Sequence, residues 1–392
     1  MARSQQYREL PFRDSYGRPF VYALPDAMLQ GLDEVSRKAG GTLMAPELVT
    51  NSATRDRYLI HSLMEEAITS SQLEGAVTTR RDAKEMLRAG RPPRNKSERM
   101  IVNNYLAMQF VRENVGEALT PALVCELHRI VTEGTLRNPA AAGRPQLPSE
   151  QRVGVWSETD DVQLHEPPPA EQLPERLARL CSFANGETQE RWMHPVLRAI
   201  VTHFMTGYDH YFEDGNGRTA RALFYWVALR NNLWLLEFVA ISRILRDAPV
   251  QYAKSYLHTE QDGGDVTYFA LHQLSVICRA IDELHKYLSR KAGEMQAARS
   301  LVPDLSLNHR QLAVVEGALR NADLRITVSS HAASHDITAA TARTDLRGLE
   351  DRGVLKSRKE SRAQVWTPVH GLPEVLESAV ENLRATVNGE HH

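Results

Sequence analysis

His210-Tyr-Phe-Glu-Asp-Gly-Asn-Gly-Arg-Thr-Ala-Arg221 is the stretch from which the fold of this chain is read. Upstream of it, Pro195 opens a run with Val196, Ala199, Ile200, His203, Phe204 and Tyr208 at the spacing of a buried helical face. Downstream, residues 220–229 continue as a second apolar helix. Between the two, Gly215 and Gly217 flank Asn216, so the backbone can take left-handed conformations and aim successive N–H groups at one point. A nest of that kind at a helix N-terminus binds anions, and Arg218 and Arg221 add two planar guanidinium forks that match phosphate oxygens. Asp214 is placed to hold a hard cation such as Mg2+ bridging two phosphates, and His210 is near enough to take a proton from an incoming hydroxyl. A Gly-Asn-Gly turn by itself is a common helix connection, and a histidine among aromatics is a common core residue. A base, a metal ligand, two glycines and two arginines in one loop and helix turn point instead to a phosphate site.

The stretch resembles the signature of the Fic family (filamentation induced by cAMP), His-x-Phe-x-Asp/Glu-Gly-Asn-Gly-Arg-x-x-Arg, and every fixed position is present. Tyr211 stands where the family usually has proline, at a position expected to point away from the chemistry. The resemblance implies an enzyme that transfers AMP from ATP to a Ser, Thr or Tyr hydroxyl of a protein target and releases pyrophosphate. It makes His210 the catalytic base, Gly215, Asn216, Gly217, Arg218 and Arg221 the nucleotide-binding residues, and Asp214 the ligand of a Mg2+ cofactor. Relatives whose loop reads Asn-Lys-Arg in place of Gly-Asn-Gly-Arg transfer a phosphate; this chain has the AMP-transfer form.

Residues 55–73 read as a long helix with Leu59, Leu63, Ala67 and Ile68 on one face and Gly75 as its stop. Ser70 and Glu74 lie one helical turn apart, at the end where a carboxylate gains nothing from the helix dipole. On composition alone this is a solvated helix end. It resembles the inhibitory motif Ser/Thr-x-x-x-Glu-Gly/Asn of regulated Fic proteins, in the class that carries it N-terminal to the signature. That implies that Glu74, steadied by Ser70 and followed by Gly75, pairs with Arg221 and competes with the γ-phosphate of ATP for the same donors.

The 392 residues suit two or three domains, and 42% hydrophobic with 24% charged residues are ordinary for a soluble globular protein. A net charge of −2 gives no global basic surface to argue for nucleic acid. Cys125, Cys181 and Cys278 are far apart and read as free thiols of a reducing compartment. The N-terminus lacks the apolar core of a secretory signal, and the longest apolar run is broken by Glu237, so a cytoplasmic protein with no membrane contact is expected.

The expected fold is mainly α. Residues 1–115 form an N-terminal arm and helical regulatory region, 116–295 a Fic-type helical core with a β-hairpin flap, 305–370 a small winged helix-turn-helix domain, and 371–392 a final helix and tail. His128, on the helix over 121–133, reads as a packing or hydrogen-bonding residue. The flap is expected from Arg152-Val-Gly-Val-Trp156 and Val162-Gln-Leu164, where helical periodicity disappears; the resemblance makes it the place where a protein target docks, near Val153–Trp156. The family's Gly-x-x-Arg approach to the flap is poorly reproduced around Gly143-Arg144-Pro145. Tyr252 and Tyr256 fall where the family holds adenosine, with core packing an equal reading. A helix over 268–292 is followed by a linker at 293–307. In the winged helix, Arg343, Arg347, Lys356, Arg358, Lys359 and Arg362 are interspersed with Asp345, Glu350, Asp351 and Glu360, a mixed pattern that leaves DNA contact, protein contact and a homodimer open. Two alternative functions stay open as well: removal of AMP from a modified protein by the same site, and transcriptional regulation through the winged helix with nucleotidyl transfer secondary.

Overall fold

The computed structural model describes residues 6–40, 49, 52–156, 163–188, 191–301, 307–320, 324–360 and 363–378. The chain divides into two compact units, Met1–Ala45 with Arg57–Leu284, and Pro46–Asp56 with His285–His392.

The first unit opens with β1 (Arg8–Arg13) and β2 (Pro19–Tyr22), an antiparallel hairpin where the sequence suggested only an arm. Leu10 and Phe12 alternate inward from β1, Phe20 and Tyr22 from β2, and Asp14 closes the turn by accepting the N–H groups of Tyr16 and Arg18. Helices α1 (Asp26–Gly40), α2 (Ser52–Leu73), α3 (Arg80–Ala89), α4 (Lys96–Asn114) and α5 (Pro121–Thr132) follow. Each of the last three starts at a side chain that accepts the third backbone N–H onward: Thr79, Asn95 and Thr120. Next come β3 (Val155–Trp156) and β4 (Gln163–His165), paired antiparallel with Val155 opposite His165. The flap expected at 152–164 is therefore present as a short ladder, and the turn expected at 158–161 lies outside the described residues.

The centre of the unit is α6 (Leu173–Asn185), α7 (Pro195–Asp209) and α8 (Asn216–Arg230). Proline at the first position of α7 and the His194 ring accepting the Val196 N–H fix its start. Helix α8 is buried on all sides from Arg218 to Ala228, which explains an apolar run with little amphipathic period. Helices α9 (Ile241–Asp247) and α10 (Pro249–Gln261) follow, and α11 (Thr267–Leu301) begins in this unit, its residues from His285 onward being counted with the second. Residues 293–301, expected in a linker, belong to α11, and 302–306 lie outside the described residues. The last turns of α11 carry Ala292, Glu294, Gln296, Ala297, Ala298 and Arg299, strong helix formers that need no apolar stripe.

In the second unit α12 (His309–Arg320), β5 (Ile326–Thr327), α13 (Val328–His335), α14 (Ala339–Asp351), β6 (Leu355–Glu360) and β7 (Ala363–Pro368) form three helices and a sheet of order β5-β7-β6, all antiparallel. Val315, Leu346, Leu349, Val354, Trp366 and Leu376 make its core, the last from a helical turn over 372–378. Arg362 and the tail beyond residue 378 lie outside the described residues. None of the described helices is long and apolar enough to cross a membrane.

Candidate active site

The loop between α7 and α8 is held in shape from several sides. His210 caps α7 in the left-handed region (φ 47°), a conformation rare for a side-chain-bearing residue, and its N–H bonds to the Thr206 carbonyl. Gly215 takes φ 83° at the start of α8, where a Cβ would also meet Thr132 at 2.7 Å. Phe212, fully buried, stacks on the His128 ring at 3.7 Å between centroids. His128 accepts the Gly143 N–H at Nδ1 and therefore carries its proton on Nε2, which donates to the Asp214 carbonyl at 2.8 Å. Burial lowers its pKa to about 4, so the ring is neutral and pins the loop as a fixed donor. This is the hydrogen-bonding role read from the sequence, with partners the sequence did not show.

The expected site residues come together around that loop. His210 is half-buried, and its Nδ1 faces the Gly207 carbonyl at 3.3 Å, which places the proton on Nδ1 and leaves Nε2 as a lone pair. Burial lowers its pKa to about 4, with the Gly207 carbonyl opposing. The Arg221 guanidinium is almost fully buried; its Nε donates to Ser70 Oγ at 2.8 Å, and Nη2 to the Ser70 carbonyl at 3.1 Å and to Glu74 Oε1 at 2.9 Å. Burial works against its charge, yet the Glu74 carboxylate beside it raises its pKa above the ordinary arginine value. Glu74 sits at the unfavourable end of α2 and at the favourable, N-terminal end of α8. It presses so close on the loop that a Cβ on Gly217 would collide with its Oε1. Gly75 ends the helix at φ 87°.

Arg218 is fully buried, with Nη1 on the Val131 carbonyl at 3.0 Å, Nη2 at 3.4 Å from Asp214 Oδ1, and Nε with no partner. Asp214, nearly half exposed, also accepts the Gly215 N–H on Oδ1. No cluster of three or more metal-ligating side chains occurs among the described residues, so a cation here would rest on one protein carboxylate and on ligand oxygens. Asn216 is turned onto the loop itself. Its side chain accepts the Phe212 N–H and donates to the Phe212 carbonyl, at 2.9 and 2.8 Å, and so ties the loop to itself. Tyr211 points away as expected, buried with its hydroxyl on Asp209.

Residues 118–228 match the model of the Fic/DOC family. The chain carries a Fic domain. A curated relative named protein adenylyltransferase Fic, from Nematostella vectensis, is 26% identical over 215 residues, covering 54% of this chain and 47% of that protein. The chain thus spans about half the length of that relative. The crystal structure of a Fic family protein from Desulfovibrio desulfuricans is similar with a TM-score of 0.59 at 16% identity, over 89% of this chain and 97% of that one. A Fic domain containing signaling protein from Bacteroides thetaiotaomicron reaches 0.53 at 20% identity, over 67% and 97%. These two likenesses are of fold.

Two groups of residues around the Fic loop escape sequence reasoning. Arg152 donates to the carbonyls of Asp209, His210 and Pro168 at 2.6, 2.9 and 2.8 Å and to Gln146 Oε1, fastening the approach of β3 to the backbone that carries His210. Burial lowers its pKa to about 10. Asp209, fully buried beneath His210, bonds Arg176 at 2.8 Å and Tyr211 at 2.5 Å. A charged residue opening a strand-like run was the only hint of Arg152 in the sequence. Tyr252 and Tyr256 are set among aromatics: Tyr252 bonds His203 at 2.8 Å, and Tyr256 packs against Phe204 and Phe269.

Proposed function

We propose that this protein transfers AMP from ATP to a hydroxyl side chain of a protein target and that its resting form is inhibited by Glu74. The observation that carries this reading is the carboxylate of Glu74 on Arg221, pressed against Gly217 at the start of α8. A helix start that accommodates an anion there, bare of any Cβ and beside two buried guanidinium groups, accommodates a phosphate by the same chemistry. The unfilled Nε of Arg218 adds a buried donor without an acceptor.

In the proposed reaction the triphosphate lies along Gly215, Gly217, Arg218 and Arg221, and Asn216 keeps the loop closed. Asp214 would hold Mg2+, which when bound neutralises phosphate charge; a single half-exposed hard carboxylate fits an ion ligated mostly by the nucleotide. The Nε2 lone pair of His210 takes the proton of the target hydroxyl. That oxygen bonds to the α-phosphorus as the bond to the β-phosphate bridging oxygen breaks, and pyrophosphate leaves. The target segment adds along the short ladder near Val155 and Trp156, both exposed. Glu74 opposes all of this by holding Arg221 and repelling the γ-phosphate.

ATP labelled at the α or the γ phosphate, given with Mg2+ to wild type, Glu74→Gly and His210→Ala, tests the proposal by label on protein. Label from α alone, at least tenfold stronger in Glu74→Gly and absent in His210→Ala, is expected. Label from γ would make the enzyme a kinase, and an unchanged rate in Glu74→Gly would remove the inhibition. Release of AMP from a pre-modified protein by wild type but not by Glu74→Gly would assign the glutamate to activating water.

A further inference from the structure

In the second unit the charges of α14 and the β6–β7 hairpin are sorted in a way that the sequence conceals. Asp345 is buried and accepts from Asn308 at 2.8 Å, from Arg310 at 2.6 and 3.1 Å and from His331 at 3.3 Å. Glu350 accepts the Trp366 indole N–H at 2.9 Å and the Ser357 N–H at 3.1 Å. Both carboxylates are thus spent on holding α12, α13, α14 and the sheet together. The exposed residues of α14 and its cap are Thr338, Ala339, Ala340, Arg343, Thr344, Arg347 and, in the last turn, Asp351, so no exposed acidic side chain lies between the cap and Arg347 among the described residues. On the neighbouring hairpin Lys356, Arg358 and Lys359 are exposed. The acids nearest the face lie at its two ends, Asp336 in the turn before the helix and Asp351 in its last turn.

A helix with small residues at its N-terminal end and arginines further along can enter a groove closely, because only small side chains lie between its cap and the first arginine. Thr338 caps the helix and keeps its positive end at that surface. The helix pair α13–α14, the preceding α12 and the antiparallel hairpin give the order of a winged helix-turn-helix, with α14 in the recognition position. We propose that this unit binds duplex DNA, with α14 in the major groove through Arg343 and Arg347 and the hairpin on the phosphate backbone through Lys356 and Lys359. This goes beyond nucleotidyl transfer and uses none of the residues assigned to it.

The test uses the full chain and a labelled duplex of about 30 base pairs of mixed sequence, with anisotropy read from about 50 to 200 mM salt. Wild type should bind with an affinity that falls steeply with salt. Arg343→Ala with Arg347→Ala should weaken binding at least tenfold, and Lys356→Ala with Lys359→Ala should lower the salt slope by about one for each phosphate charge that is no longer neutralised. Arg343→Lys with Arg347→Lys keeps both charges and should stay within about threefold of wild type on this mixed-sequence duplex, and so separates the effect of charge from misfolding. His210→Ala should bind as wild type. No binding at low salt, or equal binding by the arginine-to-alanine pair, would overturn the proposal. So would a change of oligomeric state in the arginine-to-alanine pair at unchanged DNA affinity, which would give the face to another protein chain.

Discussion

Two nitrogens of Arg221 are committed to Ser70 and one of these also holds Glu74, so a phosphate reaching the loop has to displace a carboxylate and not water. Ser70→Ala would remove the Nε acceptor while leaving the Glu74 contact, and AMP transfer should rise to a level between wild type and Glu74→Gly; a rate no higher than wild type would show that the serine does not steady the inhibitory pair. The proposed base has its own signature. Burial holds His210 at about 4, below the ordinary histidine value, so its ring stays neutral as pH falls from 7.5 to about 5 and is protonated only as pH passes through about 4. Transfer by Glu74→Gly should therefore be flat across that range, with the acid limb of log kcat/KM near 4. An acid limb near 6.5 would mean a solvated ring and would contradict the burial argument.

At the scale of elements, the flap depends on Arg152. Its guanidinium spans the carbonyls of Asp209 and His210 at one end and of Pro168 at the other, so it joins both approaches of the hairpin to the backbone under the base. Arg152→Met keeps the stem and removes the donors, leaving buried carbonyls unsatisfied at a cost of about 1–3 kcal/mol each where water cannot reach. Modification of a protein target should fall at least tenfold in kcat/KM, with ATP affinity within about threefold, measured in the Glu74→Gly background. An equal loss of ATP affinity would make Arg152 a support of the phosphate loop instead. The flap itself was legible because helical periodicity stops there; Arg152 was not, since its partners Asp209 and His210 lie 57 and 58 positions away and carbonyls leave no mark in a sequence. The β1–β2 hairpin was missed for a different reason. Its alternation of Leu10 and Phe12 with Phe20 and Tyr22 is too short to stand out beside the arginines and prolines that interrupt it.

For the molecule as a whole, the sequence showed which residues could bind a phosphate, but not how the chain holds them. The loop composition announced an anion site, whereas the contact of Glu74 with Arg221 spans 147 positions and was available only through the family resemblance. The turn of Asn216 onto Phe212 and the pinning of Asp214 by His128 are tertiary hydrogen bonds that no spacing encodes. The same tight packing has a consequence for stability. His128 and His203 are fully buried, and desolvation lowers their pKa values to about 4 and about 3. Well above pH 6.5, from about pH 7.5 upward, neither ring is appreciably charged in the folded or the unfolded chain, so neither contributes a pH dependence there. Between 6.5 and about 4 the unfolded chain takes up these protons and the folded chain does not, so stability falls with pH by up to about 1.4 kcal/mol per unit for each ring. His203 bonds Tyr252 through Nε2 and leaves Nδ1 buried without a partner, which makes its charged form the harder to accommodate. Urea unfolding between pH 7 and 5 should show this loss, and His203→Gln should flatten the slope by about one proton, whatever its effect on stability at pH 7. A slope unchanged by that substitution would place the proton uptake elsewhere and show that His203 is protonated within the fold.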